Sequence, residues 1–224
     1  MNMKKSAFAV ITTVSLLSFS LGSPMFAAGG TFKDISNVTG KEKINALKAQ
    51  GLIKGISDTQ FLPGSKVTTA QGVQFISGGL QLSLAAIDFN KAPVASDIFS
   101  KVKDKVWYTE AFINAYYNGI EIPADIDPAK PITKELFTNF LIQGLEKAGN
   151  LPMINIVPVD IADDDALDPS YQGSVQRSLK YNINTLDANG KFNPKSELTR
   201  AEAAVMLYNA LEYLNSRSNG TPGN

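Results

Sequence analysis

Asp187-Ala188-Asn189-Gly190-Lys191-Phe192-Asn193-Pro194-Lys195-Ser196-Glu197-Leu198-Thr199-Arg200-Ala201-Glu202 is the stretch on which the architecture turns. A Gly-containing turn leads into Phe192-x-Pro194, and a helix then starts at Thr199. Thr199 and Glu202 have capping-box spacing, in which the Thr hydroxyl takes the N3 amide and the Glu reaches back to the N-cap amide. Arg200 does not fit that logic. A cation in the first helical turn faces the positive end of the macrodipole, at a cost of roughly 0.3–1 kcal/mol. An anion held at the helix N-terminus would account for it.

The same ending occurs twice upstream. Phe61-Leu62-Pro63 leads, five residues beyond the Pro, to Thr68-Thr69-Ala70-Gln71, and Pro128 leads at the same interval to Thr133-Lys134-Glu135-Leu136. The three Thr residues stand 65 and 66 positions apart. The front ends also correspond: Phe32-x-Asp34-Ile35 opens one unit, Val159-Asp160-Ile161 another, and the middle unit begins loosely between Phe99 and Trp107. A fixed period of this kind marks a repeat architecture.

These residues resemble the S-layer homology (SLH) repeat, whose signature end is Thr-Arg-Ala-Glu after a Phe-x-Pro element. The resemblance covers residues 31–92, 93–155 and 156–214, the last most closely. It implies a mainly all-α fold in which three repeats pack as a pseudo-threefold bundle with grooves between neighbours. It also implies an exported, non-enzymatic protein of a Gram-positive cell wall that binds an acidic secondary cell wall polysaccharide, with another surface protein as the alternative partner. On that reading Arg200 is the main anion contact and Lys134 the second, while Thr199, Glu202 and Thr133 shape the helix starts. Transfer is incomplete. Lys134 keeps the charge but loses the bidentate fork of a guanidinium, and Leu136 replaces the Glu of the box. Thr69 removes the charge from the first unit, although Gln71 preserves its cap.

Composition bounds the rest. Lys4 and Lys5, the apolar run Ala7–Leu21 and the small residues before Gly29 read as a secretory signal over residues 1–29. Its removal leaves 19 basic residues against 21 acidic, which offers no nucleic-acid footprint. The chain has no His and no Cys, removing the commonest general base, the thiol nucleophile, any disulfide and the usual transition-metal ligands. No cofactor or metal is expected. Residues 215–224, polar with Gly and Pro, are expected to be a disordered tail.

Apolar positions recur at helical spacing in each unit: Ala201, Ala204, Val205, Tyr208 and Leu211; Phe137, Phe140, Leu141 and Leu145; Val73, Ile76 and Leu80. In the last group Gly72, Gly78 and Gly79 signal either close approach of a neighbour or an early helix end. Thr39 and Gly51 are expected to be the N-cap and C′ residues of an earlier helix. The run Asp163-Asp164-Asp165 with Asp168 reads as a solvated loop that caps the next helix, or as a calcium or carboxylate-pair site. Trp107, the sole tryptophan, is expected to pack inward, with stacking on a sugar ring as the alternative.

Overall fold

The computed structural model describes residues 31–152 and 156–219; the leader assigned to residues 1–29 and the final residues 220–224 lie outside them. Six α-helices organise the described residues: α1 (Lys41–Ala49), α2 (Thr69–Gly79), α3 (Thr109–Tyr117), α4 (Lys134–Ala148), α5 (Gln172–Lys180) and α6 (Arg200–Asn219). Among the described residues extended pairing is limited to isolated bridges, so the expected all-α class holds.

Those bridges carry the symmetry. The Val67 amide donates to the Leu198 carbonyl (2.9 Å), the Leu198 amide to the Ile132 carbonyl (3.1 Å), and the Ile132 amide to the Val67 carbonyl (2.9 Å). One residue from each repeat, immediately before its long helix, thus closes a three-membered ring. All three side chains are fully buried. Their apolar character drives the ring inward, and the ring satisfies amides that would otherwise be orphaned there.

The long helices α2, α4 and α6 meet pairwise around this ring, and the short helices sit outside them. Each short helix packs on the long helix of another repeat: α1 on α6, α3 on α2, and α5 on α4. A single repeat therefore leaves its apolar faces uncovered, and three repeats share most of one core, running from Phe32 to Ala210. A smaller cluster of Ile161, Leu167, Val175 and Phe192 sits beneath the third repeat. The α4–α5 contact has a different, polar character. Asn184 donates to the Thr138 and Ser178 hydroxyls (3.1 Å each), and Ser174 donates to Asn139 (2.8 Å). Arg177 pairs with Glu146 at 2.5 Å, and burial with the nearby Glu146 carboxylate pushes the Tyr181 hydroxyl up to about 12.

Several local expectations change. α1 begins after Gly40, not Thr39; Gly40 takes a left-handed φ of 82°, and a Cβ there would lie 2.6 Å from Val205 on α6. Gly51 does occupy the left-handed position after α1, with φ 72°. Two of the α2 glycines serve close approach: a Cβ at Gly79 would lie 2.5 Å from the Leu207 side chain and one at Gly72 3.2 Å from Ile132, whereas Gly78 has only Gln74 of its own helix nearby. α6 runs on to Asn219, so residues 215–219 are helical and do not belong to a disordered tail. Leu214 packs over the glycine at position 149.

The third repeat also starts in a different register. Lys33, Ser100 and Ala162 each donate an amide to the loop before the Pro of their own repeat (2.8, 2.8 and 2.9 Å). These bonds align Phe32 with Phe99 and Ile161, and hence Asp34 with Asp163, not Asp160. Asp34 accepts the amides of Phe61 and Leu62; Asp163 accepts those of Phe192 and Asn193 at 2.8 and 2.9 Å. Both carboxylates pin a Phe-x-Pro loop whose middle residue, Leu62 or Asn193, has positive φ. The first Asp of the acidic run is therefore a loop clasp, neither a cap of the next helix nor free for a metal.

Candidate functional site

Each long helix starts against the Pro-containing loop of a neighbouring repeat (Phe61-x-Pro63, Ile126-x-Pro128 or Phe192-x-Pro194), giving three equivalent seams. At the first, the Arg200 and Ala201 amides donate to the carbonyls of Ser65 and Pro63 (2.9 and 3.0 Å). At the second, Lys134 and Glu135 donate to Ser196 and Pro194 (2.9 and 3.1 Å); at the third, Thr69 and Ala70 donate to Lys130 and Pro128 (2.8 and 3.0 Å). The N3 amides go to the caps. Thr199 Oγ1 accepts from Glu202 (3.3 Å) while the Glu202 carboxylate accepts from Thr199 (2.8 Å). Thr68 and Gln71 form the same box, and Thr133 caps from one side only, accepting from Leu136 at 3.4 Å. The expected amide cradle for an anion at the start of α6 is accordingly ruled out, since its first three amides already have partners.

Arg200 has a different explanation. Its side chain is 7% exposed and crosses into the first repeat. Nε donates to the Phe61 carbonyl (2.8 Å) and Nη2 to the Lys54 carbonyl (3.1 Å). The guanidinium lies 4.7 Å from the Phe61 ring centroid and 5.3 Å from that of Phe75. Carbonyl dipoles and ring faces offset the unfavourable helix end. Burial lowers its pKa, with Asp34 opposing. Burial in turn raises the Asp34 carboxyl, but the amides of Phe61 and Leu62, with Arg200, outweigh it and hold that group below the ordinary value.

Lys134 occupies the equivalent place at the second seam with much less commitment. Nζ stands 4.5 Å from the Phe192 ring centroid. Partial burial lowers its pKa against the pull of Glu202, Asp163 and Asp187. Beside it opens a cleft of about 360 Å³, lined by Lys134, Thr199, Glu202, Asn184 and Val205, with Thr39 at one edge. The five residues picked from sequence are thus divided. Lys134, Thr199 and Glu202 share this cleft, Thr133 caps the helix that carries Lys134, and Arg200 belongs to another seam. At the third seam the Thr69 hydroxyl donates to the Lys130 carbonyl (3.1 Å) and no side-chain cation stands at the helix start.

Trp107 does not pack inward. It is 62% exposed, resting edge-on against Tyr108 with centroids 5.2 Å apart. Sequence reading missed two contributors, the carbonyl of Lys54 and the clasp Asp34. The Gly51–Gly55 turn pointed to the first, and an Asp two residues after an aromatic pointed to the second.

A ring of interlocked helical repeats, each presenting a capped helix start to its neighbour's Pro-containing loop, defines a cyclic repeat module. The chain belongs to the S-layer homology domain family, whose sequence profile matches residues 31–71 and 161–204, the first and third repeats. Membership of that family makes it a cell-surface protein. It is similar to an amylopullulanase of Thermoanaerobacterium thermosulfurigenes, 32% identical over 81% of this chain and 10% of the relative. An exoglucanase XynX of Acetivibrio thermocellus is 31% identical over 83% of the chain and 17% of the relative. A surface-layer 125 kDa protein of Lysinibacillus sphaericus is 24% identical over 94% of the chain and 17% of the relative. The chain therefore spans less than a fifth of the length of each of these curated relatives.

Proposed function

We propose that the chain attaches non-covalently to an acidic polysaccharide of the bacterial cell wall, through the grooves between its repeats, and catalyses no reaction. The observation that carries this reading is the open cleft at the second seam, where Lys134 stands over the Phe192 ring beside Thr199 and Asn184. The cleft beside Lys134 supplies the mixture a sugar needs: a primary cation, amide and hydroxyl partners in Asn184 and Thr199, and an apolar wall in Val205. The relatives are similar to this chain over only a small share of their lengths, which supports an attachment module and carries none of their activities.

Cosedimentation of the purified chain with wall sacculi, before and after acid removal of the polysaccharide, tests the reading. Binding lost on extraction, and weakened in Lys134→Ala, is the expected result. Protein that stays in the supernatant with intact sacculi would sink it. A second reading is favoured by the Arg200 geometry: a guanidinium already held by two carbonyls suits a scaffold that contacts another surface protein. Binding to sacculi that survives extraction of the polysaccharide would favour that reading.

A further inference from the structure

The outer face of the short helix differs between the second and third repeats. Beside α5, Gln176 holds the entering chain from both sides, accepting the Val159 amide (2.8 Å) and donating to the Val159 carbonyl (2.9 Å). Gln176 is the fifth residue of α5, and the fifth of α3 is Ile113, whose side chain has neither donor nor acceptor. In the middle repeat the entering segment coils into a 3-10 turn (Ala95–Asp97), clasped by Asp104, which accepts the Ser96 amide at 3.2 Å. Asn118 holds the preceding segment by donating to the Ser83 carbonyl (3.1 Å). Between these restraints a cleft of about 630 Å³ opens on α3. Leu84, Val94, Val106 and Ile113 give it an apolar lining, and Asp104, Glu110 and Lys105 add charges to its walls. It shares no residue with the three seams or with the cleft beside Lys134.

The first repeat carries an apolar residue that its own turn does not use. The Ile56 amide donates to the Gln60 carbonyl and the Asp187 amide to the Lys191 carbonyl, both at 2.9 Å, so the two turns correspond. Asp187 builds its turn, its carboxylate accepting the amides of Asn189 (2.8 Å) and Lys191 (3.0 Å). Ile56 accepts neither, and it is 58% exposed. Lone exposed apolar residues are ordinary, but one standing in place of a turn-building carboxylate is not explained by the turn. Ser57 also donates to Gln60 (3.4 Å) and Lys48 donates to the Asp58 carbonyl, which keeps the turn rigid. Ile56 is thus a fixed knob, with exposed Lys54 two residues before it and exposed Asp58 two after. Knob and cleft are complementary: apolar at the centre, with charges of both signs around it.

We propose that Ile56 of one copy of the chain enters the α3 cleft of a second copy, with Lys54 set against Glu110 and Asp58 against Lys105. Knob and cleft lie in different repeats, so the contact is head-to-tail and each copy can engage two neighbours. The charge pairs fix which way round the turn enters. The inference is independent of the polysaccharide reading.

Sedimentation velocity of the purified chain, from about 1 µM to about 1 mM, tests it. The expected result is a sedimentation coefficient that rises with concentration in wild type. It should stay at the monomer value in Ile56→Asp, which supplies the residue type of the third repeat's turn. Lys54→Glu and Glu110→Lys should each weaken association about tenfold. An equimolar mixture of those two variants should recover it, because every contact in an alternating assembly then pairs opposite charges. Wild type that stays monomeric throughout would overturn the inference. So would association that Ile56→Asp leaves intact, or a mixture no more associated than either variant alone.

Discussion

At the first seam a guanidinium is buried, bonded to two carbonyls and sandwiched by Phe61 and Phe75; at the second an ammonium stands over one ring beside an open cleft. The backbone is the same at both, down to the two amides donated to the loop carbonyls. What differs is the reach of the side chain. The planar fork of Arg can meet two carbonyls at once, whereas the ammonium of Lys is a point donor on a flexible stem. Identical backbone positions can thus be committed to the fold in one repeat and left beside an open cleft in the next.

The largest test of that contrast is stability. Arg200→Ala is expected to cost about 3 kcal/mol in urea denaturation, since buried carbonyls and a ring face lose a charged partner. Lys134→Ala should cost under about 1 kcal/mol, in keeping with a half-buried cation that holds no carbonyl and stands over one ring. Equal losses would erase the distinction.

The loop clasps come next. Asp34→Asn and Asp163→Asn should each cost about 1–2 kcal/mol, because two amides then share a weaker acceptor. Asp34 adds a pH signature. Its folded-state pKa is depressed below 3.8, so its stabilisation is complete above that value and is lost as pH falls through the folded pKa. Thermal melts from about pH 2 to 6 should show a shallower acid decline in Asp34→Asn than in wild type. An unchanged decline would mean the clasp carries no net energy.

The caps give the smallest effects. Thr199→Ala should cost about 1 kcal/mol, because a reciprocal box is lost. Thr133→Ala should cost less, its cap being one-sided and long at 3.4 Å. A reversal of that order, read from paired denaturation curves, would show that the returning Glu202 carboxylate is unimportant.

Much of this was legible in the chain. The spacing of Thr68, Thr133 and Thr199 gave three units, and the helical faces of Phe137, Phe140 and Ala204 gave their long helices. Periodicity reports that a face is apolar without naming its neighbour, which is why the exchange of short helices between repeats was hidden. The helix-dipole argument correctly marked Arg200 as needing a partner. It chose an external anion because the competing acceptors, carbonyls of Phe61 and Lys54, lie more than a hundred positions away and carry no side-chain signature. Trp107 was misplaced for a related reason: its neighbour Tyr108 takes the inward place, partly buried against the core. The start of the third repeat slipped by a few residues because Asp160 and Asp163 are both acidic, and only the amide pairing distinguishes them.

A closed ring drawn from a linear chain has one joint without a covalent link. Connecting segments tie the first repeat to the second and the second to the third, while the third meets the first through non-covalent contacts alone. Arg200 bridges that joint. If a load pulls the first and third repeats apart, as tension on a surface-attached chain would, this is where it concentrates, and the seam opens like a buckle before any helix is stretched. The mechanical strength of the module is therefore set at this joint, where Arg200 and the two carbonyls it holds act beside the α1–α6 and α2–α6 packing.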